Sequence, residues 1–167
     1  LRRLGEALRR HRRFVDAAAT LRRALAFDPV DSTVAGLLAV ALREAGEKEP
    51  AREVLERAVA LDPANEWAWN SLSDLAGDEA AASLARRIAA ERPWDIEAQV
   101  ALARHLPLTA IDERLTILDQ VLARERRHVA AHDLRATLLA EAERYGEALD
   151  ACSPPAYEGA PPCLLQS

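Results

Sequence analysis

The chain has 167 residues; half of them are apolar, only 4% are aromatic, and the formal net charge is −5. Ala, Leu, Arg and Glu dominate, and these residues lose little free energy on entering a helix, whereas runs of β-branched residues with period-two alternation are absent. No apolar stretch is long enough to cross a membrane, and no glycine-rich phosphate loop follows a strand pattern. We therefore expect an all-α protein without a membrane segment.

The charge is unevenly distributed along the chain. Residues 1–27 contain eight arginines against Glu6 and Asp16, although the whole chain is acidic. Such a basic segment is typical of binding to an acidic partner, a nucleic acid or an anionic membrane, or of a solvated helix face. The solvated face is the simplest interpretation. The net acidity and the lack of aromatic residues interleaved with Arg9–Arg13 argue against nucleic acid.

A repeat of 34 residues runs through the first part of the chain. Pro29 and Pro63 close two matching segments, Ala-Phe-Asp-Pro and Ala-Leu-Asp-Pro, and lie 34 residues apart. The same shift superposes spaced apolar and small residues: Leu4, Gly5, Leu8, Ala17, Leu21 and Ala24 on Leu38, Ala39, Leu42, Ala51, Leu55 and Ala58. A period of this length indicates a stack of helical hairpins.

This pattern resembles that of the tetratricopeptide repeat (TPR) family, with its Leu-Gly-x-x-Tyr segment, its spaced alanines and its closing proline. In such a hairpin the small residues let two helices approach closely, the leucines fill the space between neighbouring hairpins, and proline ends the second helix. The resemblance implies an α-solenoid of about five antiparallel helix hairpins that forms a right-handed superhelix.

The third, fourth and fifth repeats are degenerate. The third spans only 30 residues from Pro63 to Pro93, which places the missing turn at Gly77. In the fourth, Pro107 should end the first helix, and Thr109 together with Asp112 should cap the second. The 34-residue register puts turns within hairpins near Arg13, Gly46, Gly77, Pro107 and Arg144, and breaks between hairpins near Asp28, Asp62, Arg92 and Arg126.

The domain organisation follows from this register. We expect one solenoid over residues 1–152, followed by a Pro-rich irregular segment over residues 153–167 in which Cys163 starts a further hairpin. Because Leu1 is not Met and falls inside a repeat, we expect the chain to be a piece of a larger protein. A cytoplasmic location is expected.

The family resemblance also implies which residues line the concave groove, since certain positions of each first helix face it. Carried onto this chain, these positions are Arg2, Glu6, Arg9 and Arg10; Thr33, Gly36, Val40 and Arg43; Trp67, Asn70 and Asp74; Glu97, Val100 and Arg104; Ala130, Asp133 and Thr137. The candidate peptide-binding residues among them are Arg9, Arg43, Trp67, Asn70, Asp74 and Arg104.

Trp67 is the most informative of these candidates. Trp69 occupies the aromatic core position of the family, and two residues along a helix correspond to roughly 200°, so the two rings cannot face the same way. Trp67 is either a binding platform in the groove or a side chain packed on the loop at Pro63. Asn70 is either an amide that pairs with a peptide backbone or a solvated residue, and the arginines could hold carboxylates.

No residues with the pattern of a catalytic or metal site were found, and no cofactor is expected. His128 and His132 have the i, i+4 spacing of two metal ligands but lack a third ligand nearby. We expect His128 to cap a helix and His132 to lie in the core. Cys152 and Cys163 have neither metal-site nor disulfide-framework spacing.

The sequence therefore favours a scaffold, and not an enzyme, that binds a protein or peptide, such as one with acidic residues, in the groove. An alternative is a regulatory or substrate-recruiting domain of a larger enzyme or effector whose catalytic part lies outside this chain. Nucleic-acid binding through the Arg-rich first hairpin is the third and weakest alternative.

Overall fold

The computed structural model describes residues 1–151, with side chains described up to residue 149. In that range the chain forms ten α-helices and no β-strand. The helices are α1 (Arg2–Arg10), α2 (Phe14–Phe27), α3 (Ser32–Glu44), α4 (Lys48–Leu61), α5 (Glu66–Ala76), α6 (Asp78–Glu91), α7 (Ile96–His105), α8 (Ile111–Arg124), α9 (Val129–Glu141) and α10 (Tyr145–Ala151). The expected Pro-rich segment and the further hairpin at Cys163 lie outside the described residues.

The turns and breaks between helices confirm the register read from the sequence. Two kinds of connection alternate: a turn inside each hairpin, which has at most three residues except for residues 106–110 of the fourth hairpin, and a four-residue break, such as residues 28–31, between hairpins. Inside three hairpins one turn residue is left-handed, with φ of 58° at Arg12, 83° at Gly46 and 59° at Glu143. Only one of these three is a glycine, so glycine is not required there.

A side-chain cap recurs at the start of the first helix of four hairpins. Asp31, Asn65, Asp95 and His128 each accept a hydrogen bond from the backbone N–H three residues later, at 3.0, 3.0, 3.2 and 3.1 Å. Such caps satisfy one of the backbone donors that a helix start leaves unpaired. The expectation that His128 is a helix cap is therefore confirmed, and its imidazole takes the place of an Asp or Asn side chain.

The third hairpin is shortened where the sequence predicts. In the second hairpin, α3 has 13 residues and three residues separate it from α4. In the third, α5 has 11 residues, and Gly77 alone, with φ 90°, separates it from α6. Compared with the second hairpin, the third therefore lacks four residues: two from its first helix and two from the turn.

The fourth hairpin departs from one expectation. Pro107 follows α7 and begins a short 3₁₀ helix, Leu108–Ala110, as expected for a proline that ends a helix. However, the N-cap of α8 is Ala110 and carries no side-chain cap, so the prediction that Thr109 caps α8 is wrong. Because the 3₁₀ turn occupies Thr109, its hydroxyl is not at the cap position.

A buried arginine stabilises the end of α7 instead. Arg114, on α8, is only 4% exposed, and its Nε and Nη2 donate to the carbonyl oxygens of Ala103 and Arg104 at 2.7 and 3.3 Å. These are carbonyls of the last turn of α7, which lack helical donors. Desolvation lowers the pKa of the Arg114 guanidinium, and Glu141 partly opposes this shift.

The chain divides into two compact units, Leu1–Leu84 and Ala85 onward, with the boundary inside α6. The first has a core of small and aliphatic residues from α2, α3 and α4: Ala17, Ala18, Leu21, Val34, Leu38, Ala41, Leu42 and Ala51. The second has its own core from α7 to α10: Val100, Ala103, Leu115, Leu118, Val121, Ala131, Ala136, Leu138, Leu139 and Ala148. The right-handed superhelix stays a prediction.

Small residues set the close approach of helices in the first unit. A β-carbon built on Gly5 would lie 2.5 Å from Cγ of Leu21, which is fully buried. Glycine therefore allows α1 to pack directly on α2. Of the six leucines expected to fill the space between hairpins, Leu4 is an exception, because it is 54% exposed.

Candidate binding groove

A cavity of about 400 Å³ opens on the first unit. Three helices and one cap residue line it: Arg9 from α1, Ser32, Thr33, Gly36, Leu37 and Val40 from α3, and Asn65 and Trp67 at the start of α5. Five of these side chains occupy positions that the family resemblance assigns to the groove. The other three, Ser32, Leu37 and Asn65, were not expected there.

Trp67 forms one wall of this cavity and packs directly on α3. Its side chain is 47% exposed, and a β-carbon on Gly36 would lie 2.8 Å from its Cζ3 atom. Glycine at position 36 therefore lets the indole lie against the helix backbone. The neighbouring Trp69 behaves differently: it is 2% exposed, and its Nε1 donates to the carbonyl oxygen of Pro63 at 3.0 Å. The core position expected for Trp69 is confirmed.

A second, narrow cleft of about 10 Å³ adjoins the cavity. Its lining comes from three helices: Ala39, Val40 and Arg43 from α3, Leu55 from α4, and Trp67, Ser71 and Leu75 from α5. Trp67 and Val40 line both spaces. Arg43, which is exposed, therefore shares the cleft with Trp67.

Arg9 is held at the cavity by an ion pair. Its Nη1 lies 3.3 Å from Oε1 of Glu44 at the end of α3, and both side chains are 32% exposed. Its Nε is shielded from solvent and has no hydrogen-bond partner among the described residues. Arg9 therefore places a partly exposed cation at the cavity, where a guanidinium can pair with an anionic group.

The remaining predicted site residues lie elsewhere. Asn70 and Asp74 are exposed on α5 but line neither space. Arg104 belongs to the second unit, in the last turn of α7, where it is half-buried and its carbonyl oxygen accepts from Arg114. The structure thus brings Arg9, Arg43 and Trp67 together around α3. The roles of Asn70, Asp74 and Arg104 stay predictions.

Comparison with known proteins agrees with the repeat register. Residues 8–75 match the family model of the tetratricopeptide repeat. This segment of the chain therefore consists of tetratricopeptide repeats. Repeats of this family generally serve as scaffolds for protein interaction. No curated protein shows significant sequence similarity to this chain.

Solved structures with the same fold include several TPR proteins. MamA 41-end from Desulfovibrio magneticus RS-1 has a TM-score of 0.52 and 14% identity, covering 90% of this chain and 88% of its own. MamA AMB-1 has a TM-score of 0.50 and 23% identity, covering 90% and 92%. YrrB, a TPR protein with an unusual peptide-binding site, has a TM-score of 0.50 and 18% identity, covering 90% and 80%. At these identities the similarity concerns the TPR fold alone.

The two histidines with metal-like spacing have structural partners. His128 caps α9 through Nδ1, and its Nε2 lies 3.1 Å from Oε1 of Glu97. His132 is 5% exposed, and its Nε2 lies 2.9 Å from the carbonyl oxygen of Arg126. Within the described part of the chain, no three His, Cys, Asp or Glu side chains are grouped to hold a metal ion.

Between residues 1 and 151, no helix combines the length and the apolar character needed to cross a bilayer.

Proposed function

We propose that the first unit of this TPR protein binds an extended peptide with an acidic side chain in the cavity between α1, α3 and α5. The observation that carries the proposal is the arrangement of Trp67 and Arg9 around Gly36. One wall of the cavity is a half-exposed aromatic ring that packs on α3 at Gly36, and another carries a cation.

The size and lining of the cavity suit a peptide segment. A volume of about 400 Å³ lies within the range of ligand sites in proteins, and such sites combine apolar walls with few polar groups. Leu37, Val40 and the indole supply the apolar surface, and Thr33 and Asn65 add polar groups. YrrB, which shares the fold, is itself a TPR protein with a peptide-binding site.

The charges near the indole favour an acidic ligand group. Arg9 lines the cavity and Arg43 lines the neighbouring cleft, and Trp67 lines both spaces. A carboxylate entering the cavity could pair with the partly exposed guanidinium of Arg9, and such charge-assisted bonds are stronger than neutral ones. The indole supplies contact area at low entropic cost, as aromatic residues do at binding hot spots.

To test the proposal, peptides of about ten residues are selected from a displayed random library for binding to the full chain. We expect the selected peptides to be enriched in Asp and Glu. Their affinity for Trp67→Ala should fall about 30-fold, which corresponds to a hot-spot loss of about 2 kcal/mol. Calorimetry or fluorescence anisotropy would measure this loss.

The matched control is Trp94→Ala, since Trp94 is 68% exposed but lies in the second unit. This variant should bind the selected peptides as the natural chain does. Equal affinity of the natural chain and Trp67→Ala, or an equal loss in both variants, would refute the proposed groove.

A further inference from the structure

A cavity of about 590 Å³ lies between the second helices of the first two hairpins. Helices α2 and α4 form its sides, and the fully buried Leu38 and Leu42 of α3 lie at its bottom. It shares no lining residue with the cavity at Trp67, which is lined by the first helices of hairpins. This part of the first unit is therefore a separate surface.

Two charges of opposite sign line the α4 side of this cavity. Glu53 and Arg57 are four residues apart on α4, and both are exposed. Within residues 1–149 neither has an ion pair or a side-chain hydrogen bond. Arg52 on the same helix behaves differently, since it pairs with Glu49 and Glu56 at 3.2 and 3.4 Å. The charges that face the cavity are thus the ones left without a partner inside the described chain.

The remaining charge at the cavity is already paired. Arg22, on α2, donates from Nη2 to Oε2 of Glu47 at 3.1 Å. Helix α2 also lacks the two unpaired charges of α4 as a set, because the 34-residue shift places Ala19 and Arg23 at the equivalent positions. The acidic and basic residues that face the cavity are therefore a feature of α4 and not of every second helix.

The two charges lie within an apolar stripe of α4. Pro50, Val54 and Leu61 follow one another at spacings of four and seven residues, so they share one face of the helix with both charges. Pro50 and Val54 line the cavity and are partly buried, whereas Leu61 is 50% exposed. With a rise of about 1.5 Å per residue, the stripe is about 16 Å long.

An exposed aromatic ring lies beside the cavity on the α2 side. Phe27 is 81% exposed, and its chain neighbours Ala26 and Pro29 line the cavity. Leu61 is the residue equivalent to Phe27 in the next hairpin and is also exposed, so this position stays at the surface in both hairpins. Exposed apolar side chains that adjoin an apolar cavity are typical of a protein interface.

The stripe on α4 is complementary to itself. When two copies of α4 lie antiparallel with residue 55 at the centre, Glu53 of each copy faces Arg57 of the other, and Pro50 of each faces Leu61 of the other. A two-fold axis produces this arrangement, in which the same patch is used by both copies. A parallel arrangement in the same register would place like charges together, which is unfavourable.

We infer that the chain forms a two-fold symmetric homodimer through antiparallel packing of α4 on α4. Each dimer contains two Glu53–Arg57 ion pairs between the copies. Phe27 of each copy lies against the other copy, next to the two cavities. The dimer leaves the cavity at Trp67 open, because the two surfaces share no lining residue.

The test is sedimentation equilibrium of the full chain and its variants over a range of concentrations. The natural chain should be a dimer that dissociates on dilution. Glu53→Arg alone and Arg57→Glu alone should each weaken the dimer about tenfold or more, because by symmetry each reversal creates two contacts between like charges. The double variant that exchanges both charges should dimerise about as tightly as the natural chain, since every pair is restored in reverse.

A mixture of the two single variants gives an independent readout. The Glu53→Arg chain and the Arg57→Glu chain should form a heterodimer about tenfold or more tighter than either homodimer, because both pairs are then of opposite sign. Phe27→Ser should weaken the natural dimer about tenfold or more, since it removes an aromatic contact from the interface.

Three controls separate this interface from other surfaces. Arg87→Glu reverses an exposed arginine at the equivalent position of α6, six residues before its closing proline, and Leu108→Ser changes an exposed apolar residue of the second unit. Trp67→Ala changes the other cavity. All three should leave the dimer unchanged. A chain that is monomeric at every concentration, a double variant that stays as weak as the single ones, or a dimer insensitive to Phe27→Ser would overturn the inference.

Discussion

Two tryptophans separated by one residue have different roles in this protein. Trp69 is buried and binds the carbonyl oxygen of Pro63, whereas Trp67 is half-exposed and lies on Gly36. His132 repeats the role of Trp69, since its ring also reaches a carbonyl oxygen six residues earlier, that of Arg126. The large residue at this position therefore connects the first helix of its hairpin to the break before it through a contact between a ring nitrogen and a carbonyl oxygen.

Alanine substitutions at two glycines of the first unit should change the free energy of unfolding by different amounts. Gly5→Ala places a β-carbon 2.5 Å from fully buried Leu21, and Gly36→Ala places one 2.8 Å from half-exposed Trp67. The core cannot relax as the indole can, so we expect Gly5→Ala to cost about 1–3 kcal/mol of unfolding free energy. Gly36→Ala should cost less, because the half-exposed indole can move aside, while the preference of a helix for alanine, roughly 1 kcal/mol, applies at both positions.

Gly36→Ala should instead change the groove. The displaced indole should move away from α3, and its fluorescence emission should shift relative to the natural chain. Urea unfolding measures the first difference, and emission spectra compared with those of Gly5→Ala measure the second. A larger loss of stability for Gly36→Ala than for Gly5→Ala would contradict this account of Trp67.

At the scale of helices, repeated caps define where each hairpin begins. The four capping side chains lie at equivalent positions. Pro29, Pro63 and Pro93 are local signals for the first three breaks, whereas the fourth break, near Arg126, has no closing proline and followed from the period of the repeat. The turns at Arg12 and Glu143 carry no such signal, since their left-handed residues are not glycine. Their positions followed from the period of the repeat and not from their own residues.

Arg114 should be essential to the short fourth hairpin. It donates to two terminal carbonyl groups of α7 through two different nitrogens, a geometry that a lysine ammonium cannot reproduce. We expect Arg114→Lys to cost about 1–3 kcal/mol of unfolding free energy, because a buried carbonyl is left unpaired. Hydrogen exchange should show faster opening of the end of α7.

The control for this prediction is Arg86→Lys, since Arg86 is an exposed arginine on α6 of the same unit. Its stability should be unchanged. An equally small effect of both substitutions would mean that the bonds of Arg114 contribute little to the fourth hairpin.

At the scale of the whole chain, the sequence predicts the fold better than the site. The 34-residue period fixes helix bounds and faces, which is why Trp69 could be assigned to the core and Trp67 to the groove. It could not predict which residues meet across helices. The contact between Gly36 and Trp67 and the pair of Arg9 with Glu44 depend on distances between helices that a one-dimensional pattern does not contain.

The burial of one charged residue and the exposure of one apolar residue also could not be predicted from the sequence. Arg114 has the sequence context of a surface arginine but is buried, because α7 ends early and its carbonyls need donors. Leu4 has the pattern of a core leucine but is exposed, because no helix covers that side of α1. Both outcomes depend on neighbouring elements.

A further cavity of the first unit must be distinguished from the one at Trp67. Besides the cavity at Trp67, a space of about 590 Å³ is lined mainly by second helices of hairpins: Arg22, Leu25, Ala26, Pro29, Leu38, Leu42, Pro50, Glu53, Val54 and Arg57. It has no aromatic wall. The proposed function requires that peptides prefer the smaller cavity, where the indole and Arg9 lie.

The most direct test is a chemical-shift map of the ¹⁵N-labelled full chain titrated with a selected acidic peptide. We expect the largest shifts at the indole N–H of Trp67, the backbone of Gly36 and the side chain of Arg9. The indole N–H of Trp94 should not move and serves as the internal control. Shifts centred on Arg22 and Arg57, or on helices of the second unit, would contradict the proposed groove.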